Sequence, residues 1–208
     1  METSVTGASG LPMSRPCTAD IVVYLDLDGV VQHENVRWSK RRGIYMAAPG
    51  HALFEWVPQL EQALALFPQV ALVLSSSWCV WPGFGKTLKR LPPGLRDRFI
   101  GGTYHQREHG ADPRLKDAFK GMSRGKQVCA DVLRRRPVQW LALDDDTENW
   151  PEWASHNLVA CDGGLGLSCS RVQAELHEKL QWCVRELEKE ASRQRDLLGS
   201  ASQQPPPP

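Results

Sequence analysis

Two aspartates, Asp26 and Asp28, follow the apolar run IVVYL and are separated by one leucine. In an extended segment, residues two positions apart point to the same side, so both carboxylates can address one site. Like charges at that distance repel each other, and a cation or a raised pKa on one carboxyl group must compensate. A hard divalent cation such as Mg²⁺ meets this need, because it binds one or two carboxylates together with a substrate phosphate. The pair therefore predicts a Mg²⁺ site, although a D-x-D-G also occurs in turns and in nucleotide-sugar transferases.

Polar residues also follow two other apolar runs. Ser75 and Ser76 come directly after VALVL, where their hydroxyl and N–H groups suit a phosphate. Serine after a strand is, however, often only a turn former. Asp144 and Asp145 end the run WLAL and are followed by a third aspartate. Adjacent acids are poor strand formers and repel each other, so a metal ion or a set of N–H donors would explain them.

Apolar runs alternate with amphipathic segments along the chain, and this alternation positions the polar residues. β-branched runs predict strands that are covered on both faces, and the alternation predicts an α/β fold with a parallel sheet. In such sheets, ligands bind beyond the carboxyl ends of the strands. We expect strands near 21–25, 69–78, 99–105, 138–146 and 156–167, and helices within 51–67, 84–99, 125–136 and 170–194.

Length and composition limit the function classes. The chain has 208 residues and a formal net charge of +1, which fits one domain and gives no general argument for nucleic acid. Its six cysteines form no C-x-x-C pair, which favours core cysteines in a reducing compartment. Neither a signal peptide nor a membrane span is evident, so we expect a cytoplasmic protein without a membrane partner. Composition divides the chain into a flexible lead at 1–19, a folded domain at 20–192 and a disordered Pro-rich tail at 193–208.

The motifs, taken in order, resemble those of the haloacid dehalogenase-like (HAD) superfamily, whose members are mostly phosphatases. YLDLDGVV resembles the first motif, ALVLSSSW the second, Lys126 the third and WLALDDD the fourth. SSSW together with LDDD is also similar to a small branch found in bacterial RNA-repair proteins. The resemblance covers residues 20 to about 185. It implies a three-layer Rossmann-like fold with a central, mostly parallel sheet.

The resemblance also implies a Mg²⁺-dependent phosphatase. Asp26 would be the nucleophile that forms an aspartyl-phosphate, and Asp28 would protonate the leaving group and then deprotonate water. The implied metal ligands are Asp26, Asp28 through its carbonyl, and, in order of preference, Asp144, Asp145 and Asp146. The implied phosphate-binding residues are Ser75 or Ser76 and Lys126, with Lys116 and Lys120 as alternatives to that lysine.

The gaps after the first two motifs are too short for a large cap domain. We therefore expect an open site, or one covered by a short flap at 32–51. An open site admits either a phosphorylated small molecule or a nucleic-acid end. The basic residues at 40–42 could meet a phosphate backbone, and Trp78 and Trp81 could stack on a base. Ordinary solvation of the loop and core packing of the tryptophans are the alternatives.

Two other functions stay open from the sequence. A non-catalytic HAD-like regulatory or binding domain would use the helix at 170–194 to dock on a protein partner, although both motif aspartates are present. A nucleotide-sugar transferase would use the D-x-D pair for metal binding and would form no aspartyl-phosphate.

Overall fold

The computed structural model describes the backbone of residues 19–201 and the side chains of 19–193 and 195. Within these residues the strands are β1 (Ile21–Leu25), β2 (Val36–Ser39), β3 (Gly43–Met46), β4 (Val70–Leu74), β5 (Phe99–Gly102), β6 (Gln139–Asp144) and β7 (Leu158–Ala160). The helices are α1 (Val57–Ala65), α2 (Phe84–Leu88), α3 (Pro93–Arg96), α4 (Pro113–Gly121), α5 (Arg124–Arg135) and α6 (Ser170–Ala201). Short 3₁₀ helices span Ser77–Cys79, Glu152–Asn157 and Gly166–Ser168.

Five strands form one parallel sheet in the order β5-β4-β1-β6-β7. Every residue of β1 is fully buried, as expected for an apolar strand that lies between two neighbours with both sheet faces covered. The edge strand β5 is mostly half-buried. The α/β fold with a parallel central sheet that the sequence predicts is confirmed.

Alternate residues of β1 pack on opposite faces of the sheet and give the domain three layers. Val22 and Tyr24 lie in one apolar cluster with Val128 of α5. The other three residues of β1 lie in a second cluster, which includes Leu60 of α1 and Leu176 of α6. The three-layer, Rossmann-like arrangement is therefore confirmed as well.

The predicted flap at 32–51 contains the antiparallel hairpin formed by β2 and β3. Between β1 and β4 the described chain holds only this hairpin, α1 and loops, so no large cap domain lies there. On α5, Val132 is buried in the core, whereas Leu133 is 69% exposed. It follows Val132 directly, and consecutive residues of a helix point about 100° apart.

The C-terminal helix α6 continues to Ala201, past the predicted domain end at residue 192. The segment RQRDLL at 193–198 contains several good helix formers, which favours this extension. The remainder of the predicted tail at 202–208 and residues 1–18 of the predicted lead lie outside the described residues. Within the described residues, no helix is both long and apolar enough to cross a bilayer.

Candidate metal and phosphate site

The carboxyl ends of β1, β4 and β6 meet because these strands are neighbours, with β1 in the middle. The backbone N–H of Asp26 donates to the carbonyl oxygen of Leu143 at 3.0 Å, and that of Ser75 donates to the carbonyl oxygen of Leu25 at 2.8 Å. These bonds extend the strand ladders by one residue and fix the positions of Asp26 and Ser75. Asp144 is the last residue of β6. The structure therefore brings the first, second and fourth sequence motifs to one edge of the sheet.

Three carboxylates at this edge form a compact group. Asp26, Asp144 and Asp145 each offer one oxygen, and these oxygens lie within 4.8 Å of one another. Oδ2 of Asp144 is buried and accepts no hydrogen bond from the described residues. Burial and then the negative charge of Asp26 raise the pKa of Asp144 well above its usual value and raise the pKa of Asp145 to about 6. Mutually repelling carboxylates with an orphaned oxygen fit a hard divalent cation such as Mg²⁺.

Glu34, which belongs to none of the sequence motifs, adds a further negative charge near Asp145. The carboxylate of Glu34 contributes to the raised pKa of Asp145. Glu34 is exposed and lies in the loop before β2. No spacing relates Glu34 to the fourth motif, and only the folded chain brings the two acids together.

Asp28 makes a separate set of contacts beside this group. Its Oδ2 accepts a hydrogen bond from Nε1 of Trp78 at 2.9 Å, and its Oδ1 accepts one from Nε2 of Gln32 at 2.6 Å. Burial and then the negative charge of Asp26 raise the pKa of Asp28 to about 6, although both hydrogen bonds lower it. A carboxyl group that titrates near neutral pH can both donate and accept a proton, which suits an acid–base role.

Gly29 allows the first and fourth motifs to approach each other. Its φ of +72° is in the left-handed region, which glycine adopts without steric penalty. A Cβ atom at this position would collide with the carboxylate of Asp145. The glycine after the second aspartate is therefore required both by the turn and by the proximity of Asp145.

Arg124, the first residue of α5, supplies a positive charge to the acidic group. Its Nη2 lies 3.3 Å from Oδ2 of Asp26, and its Nε lies 3.3 Å from Oδ2 of Asp144. The first contact is also a hydrogen bond, whereas the second is only electrostatic, because Nε and Oδ2 are not aligned for hydrogen bonding. The guanidinium side chain is only 16% exposed. Arg124 thus partly neutralises two of the three carboxylates.

The structure does not bring Lys126 to this position. Lys126 is exposed and forms no ion pair with a described residue. It lies two residues after Arg124 on the same helix, and residues at that separation do not face each other. The phosphate-binding role implied for Lys126 stays a prediction, and Arg124 is the cation of α5 that contacts the acids.

Ser75 and Ser76 lie on the opposite side of β1 from β6. Ser75 is fully buried and Ser76 is 2% exposed. Neither Oγ atom has a hydrogen-bond partner among the described residues. Buried hydroxyl groups normally have a partner, so both hydroxyls are available to a ligand that enters the site. Their phosphate-binding role also stays a prediction.

A cavity of about 690 Å³ opens beside the acidic group. Ser76 and Arg124 line it, together with Trp81, Lys116 and Lys120. The two lysines are the alternatives to Lys126 that the sequence left open, and α4 places both in the cavity wall. The cavity volume is in the range of sites for organic ligands, and it is much larger than a phosphate group.

Comparison with protein families gives one finding that covers most of the chain. The sequence model of the family described as "HAD domain in Swiss Army Knife RNA repair proteins" matches residues 22–172. This range includes all four motifs and Arg124. No curated protein and no solved structure matches the chain significantly.

Proposed function

Because this chain belongs to the family of HAD domains in Swiss Army Knife RNA repair proteins, we propose that it is a Mg²⁺-dependent phosphomonoester hydrolase. The observation that carries the proposal is the position of the Asp26 carboxylate. It lies at the end of the central strand, within one group with Asp144 and Asp145, and it contacts the guanidinium of Arg124. Such a carboxylate can attack phosphorus while neighbouring positive charge stabilises the phosphoryl oxygens.

In the proposed reaction, an oxygen of Asp26 forms a bond to phosphorus while the ester P–O bond breaks. The protonated carboxyl group of Asp28 gives its proton to the oxygen of the leaving group. Asp28 then takes a proton from a water molecule, whose oxygen attacks the phosphorus of the aspartyl-phosphate. This second attack releases inorganic phosphate and restores both the Asp26 carboxylate and the protonated Asp28. A pKa of about 6 lets Asp28 serve in both half-reactions.

Three side chains of this site would hold Mg²⁺, namely Asp26, Asp144 and Asp145. When bound, the ion would neutralise negative charge on the nucleophile and on the phosphate as they approach. Arg124 and the hydroxyls of Ser75 and Ser76 would bind the phosphoryl oxygens. Charge stabilisation of this kind is most of what phosphoryl transfer requires of a protein.

We further propose a phosphorylated nucleic-acid end as the substrate. The family description associates this domain with RNA repair proteins. The absence of a large cap from the described segment between β1 and β4 leaves room for a polymeric substrate. Basic side chains at 40–42 are exposed at the tip of the β2–β3 hairpin, where they can contact a phosphate backbone.

The test is hydrolysis of para-nitrophenyl phosphate and of 5′- and 3′-phosphorylated oligonucleotides, each with and without Mg²⁺. We expect phosphate release that requires Mg²⁺ and that Asp26→Asn abolishes. Glu148→Gln is the matched control, because it removes an exposed carboxylate from the loop after β6. Activity that persists in Asp26→Asn would exclude the aspartyl-phosphate mechanism. No hydrolysis of any of these substrates would refute the proposed function and favour a binding domain.

A further inference from the structure

Two tryptophans from separate elements meet at the surface beside the cavity. Trp38 lies in β2 of the hairpin, and Trp81 follows the 3₁₀ helix Ser77–Cys79. Their ring centroids are 5.4 Å apart, and the rings are nearly perpendicular. Despite this contact, Trp38 remains 56% exposed and Trp81 remains 51% exposed. An exposed pair of the largest apolar side chains is typical of a binding surface.

The aromatic pair is continuous with the cavity beside the acidic group. Trp81 lines the same cavity as Ser76 and Arg124, and Arg124 contacts the carboxylate of Asp26. A ligand that lies against the indole of Trp81 can therefore extend through the cavity toward the proposed nucleophile. The hairpin that carries Trp38 reaches the cavity rim through the contact between the two tryptophans.

The charge of the cavity wall favours an anionic ligand. Lys116 and Lys120 line it in addition to Arg124, and among the described residues Asp146 is the only carboxylate in the lining. Neither lysine forms an ion pair with a described residue, and so both ammonium groups are available to a ligand. Lys116 and Lys120 are four positions apart on α4 and therefore lie on one face of the helix, where both can contact one stretch of nucleic-acid backbone. Cations next to exposed aromatic rings are the combination that single-stranded nucleic acids require.

We propose that Trp81 and Trp38, together with Lys116 and Lys120, bind the end of a single-stranded oligonucleotide. An unpaired base stacks on the exposed indole of Trp81, and the lysines contact the backbone phosphate that follows it. A base in a duplex already has both faces stacked, so the surface selects unpaired ends. The inference rests on the proposed function for the reaction at the terminal phosphate, but the binding surface is tested without hydrolysis.

The binding test uses the full chain carrying Asp26→Asn and a fluorescein-labelled, 5′-phosphorylated single strand in an anisotropy titration. Adding Trp81→Ala is expected to raise Kd about five- to tenfold, the lower part of the range for loss of one base stack. Trp81→Phe keeps an aromatic face and is expected to restore most of the affinity. Trp153→Ala is the matched control, because Trp153 is 52% exposed and makes an edge contact with another tryptophan away from the cavity. Its Kd is expected to stay unchanged.

The lysines are tested by the salt dependence of the same titration. For single strands, each phosphate neutralised by the protein contributes about 0.7 to the slope of log Kd against log salt. Replacing both Lys116 and Lys120 by alanine is therefore expected to lower the slope by about 1.4. Lys189→Ala on α6, whose side chain is exposed and paired with Glu186, is expected to leave it unchanged.

The outcomes separate this inference from the proposed function. Equal affinity for the single strand with and without the Trp81→Ala substitution would overturn the binding surface. Binding of a blunt duplex as tightly as the single strand would overturn it as well. Preference for a phosphopeptide over the single strand would assign the surface to a protein ligand and overturn it too. Binding that depends on Trp81, combined with no hydrolysis of any phosphate ester by the wild type, would refute the proposed function alone.

Discussion

Replacing Asp145 by asparagine is expected to make the metal-free protein more stable. The side chain keeps its shape, but the substitution removes one of three neighbouring negative charges. Burial and the charge of Asp26 raise the pKa of Asp145 from 3.8 to about 6 in the folded protein. The difference between these two pKa values is equivalent to about 3 kcal/mol against folding when the group is ionised. Because the side chain is partly exposed, solvent screening reduces the expected gain to about 1.5 kcal/mol.

The effect has a defined pH dependence. A carboxyl group whose pKa is raised on folding favours the folded state fully below its unfolded pKa, and this contribution is lost as pH rises through the folded pKa. Ionisation of Asp145 therefore destabilises the wild type progressively between about pH 4 and pH 7, whereas asparagine cannot ionise. The stability difference between the two proteins is expected to be near zero at about pH 4 and complete above about pH 7.

Thermal unfolding in EDTA and in Mg²⁺ checks this prediction. For a domain of this size, about 1.5 kcal/mol corresponds to an increase in Tm of about 3–6 °C. Mg²⁺ is expected to raise the Tm of the wild type, since it binds the folded site, and to raise that of Asp145→Asn far less. Glu148→Gln, which removes an exposed carboxylate nearby, is expected to match the wild type both in its Tm in EDTA and in its response to Mg²⁺. A variant less stable than wild type in EDTA above pH 7, or an undiminished response to Mg²⁺, would refute the assignment of Asp145 to the metal site.

Two further predictions concern groups that contact the proposed catalytic aspartates. Arg124→Ala is expected to lower kcat/KM about 100-fold or more, since it removes a buried positive charge beside the nucleophile. Lys126→Ala is expected to keep kcat/KM within about twofold of the wild-type value. Phosphatase kinetics of both variants decide between the two cations, and a larger loss in Lys126→Ala than in Arg124→Ala would restore Lys126 to the site. Trp78→Phe removes a hydrogen bond that lowers the pKa of Asp28, so the alkaline limb of the pH profile of kcat/KM is expected to move to higher pH by up to about one unit. An unchanged profile in a variant with wild-type melting behaviour would show that Asp28 does not control that limb.

The backbone of the site could be predicted because its strands carry a strong signal. Continuous apolar runs identify β1, β4 and β6, and parallel pairing then brings their carboxyl ends together. This rule alone predicts the shared location of Asp26, Ser75 and Asp144. The β2–β3 hairpin and α4 lack comparable apolar runs, and neither was predicted.

The position of Arg124 could have been predicted from the phase of α5. Val128 and Val132 mark the side of the helix that faces the sheet. Arg124 precedes Val128 by about one helical turn and therefore lies on the side of α5 that faces the sheet. Lys126 lies between Arg124 and Val128 in the sequence, points away from the sheet and is exposed. The apolar positions thus distinguish the two cations, whereas the spacing of motifs along the chain does not.

The contact between Trp38 and Trp81 had no equivalent signal. Neither tryptophan is part of a periodic apolar pattern that would identify a helix or a strand, and each is connected to the site through a loop or a short hairpin. Their meeting depends on how the hairpin is placed after β1 and how the 3₁₀ turn is placed after β4. Both placements are tertiary, so a single sequence contains no local pattern that indicates them.

Repulsion among the acids explains their location at the ends of the central strands. Three carboxylates within 4.8 Å destabilise the metal-free fold, and the elements that carry them must supply more stability than this repulsion removes. β1 is fully buried along its whole length, and each such apolar side chain contributes about 1.5–3 kcal/mol. The edge strands β5 and β7 are shorter and mostly half-buried, so they could not hold the same charges in place. A fully buried central strand is therefore a condition for a site whose carboxylates repel one another.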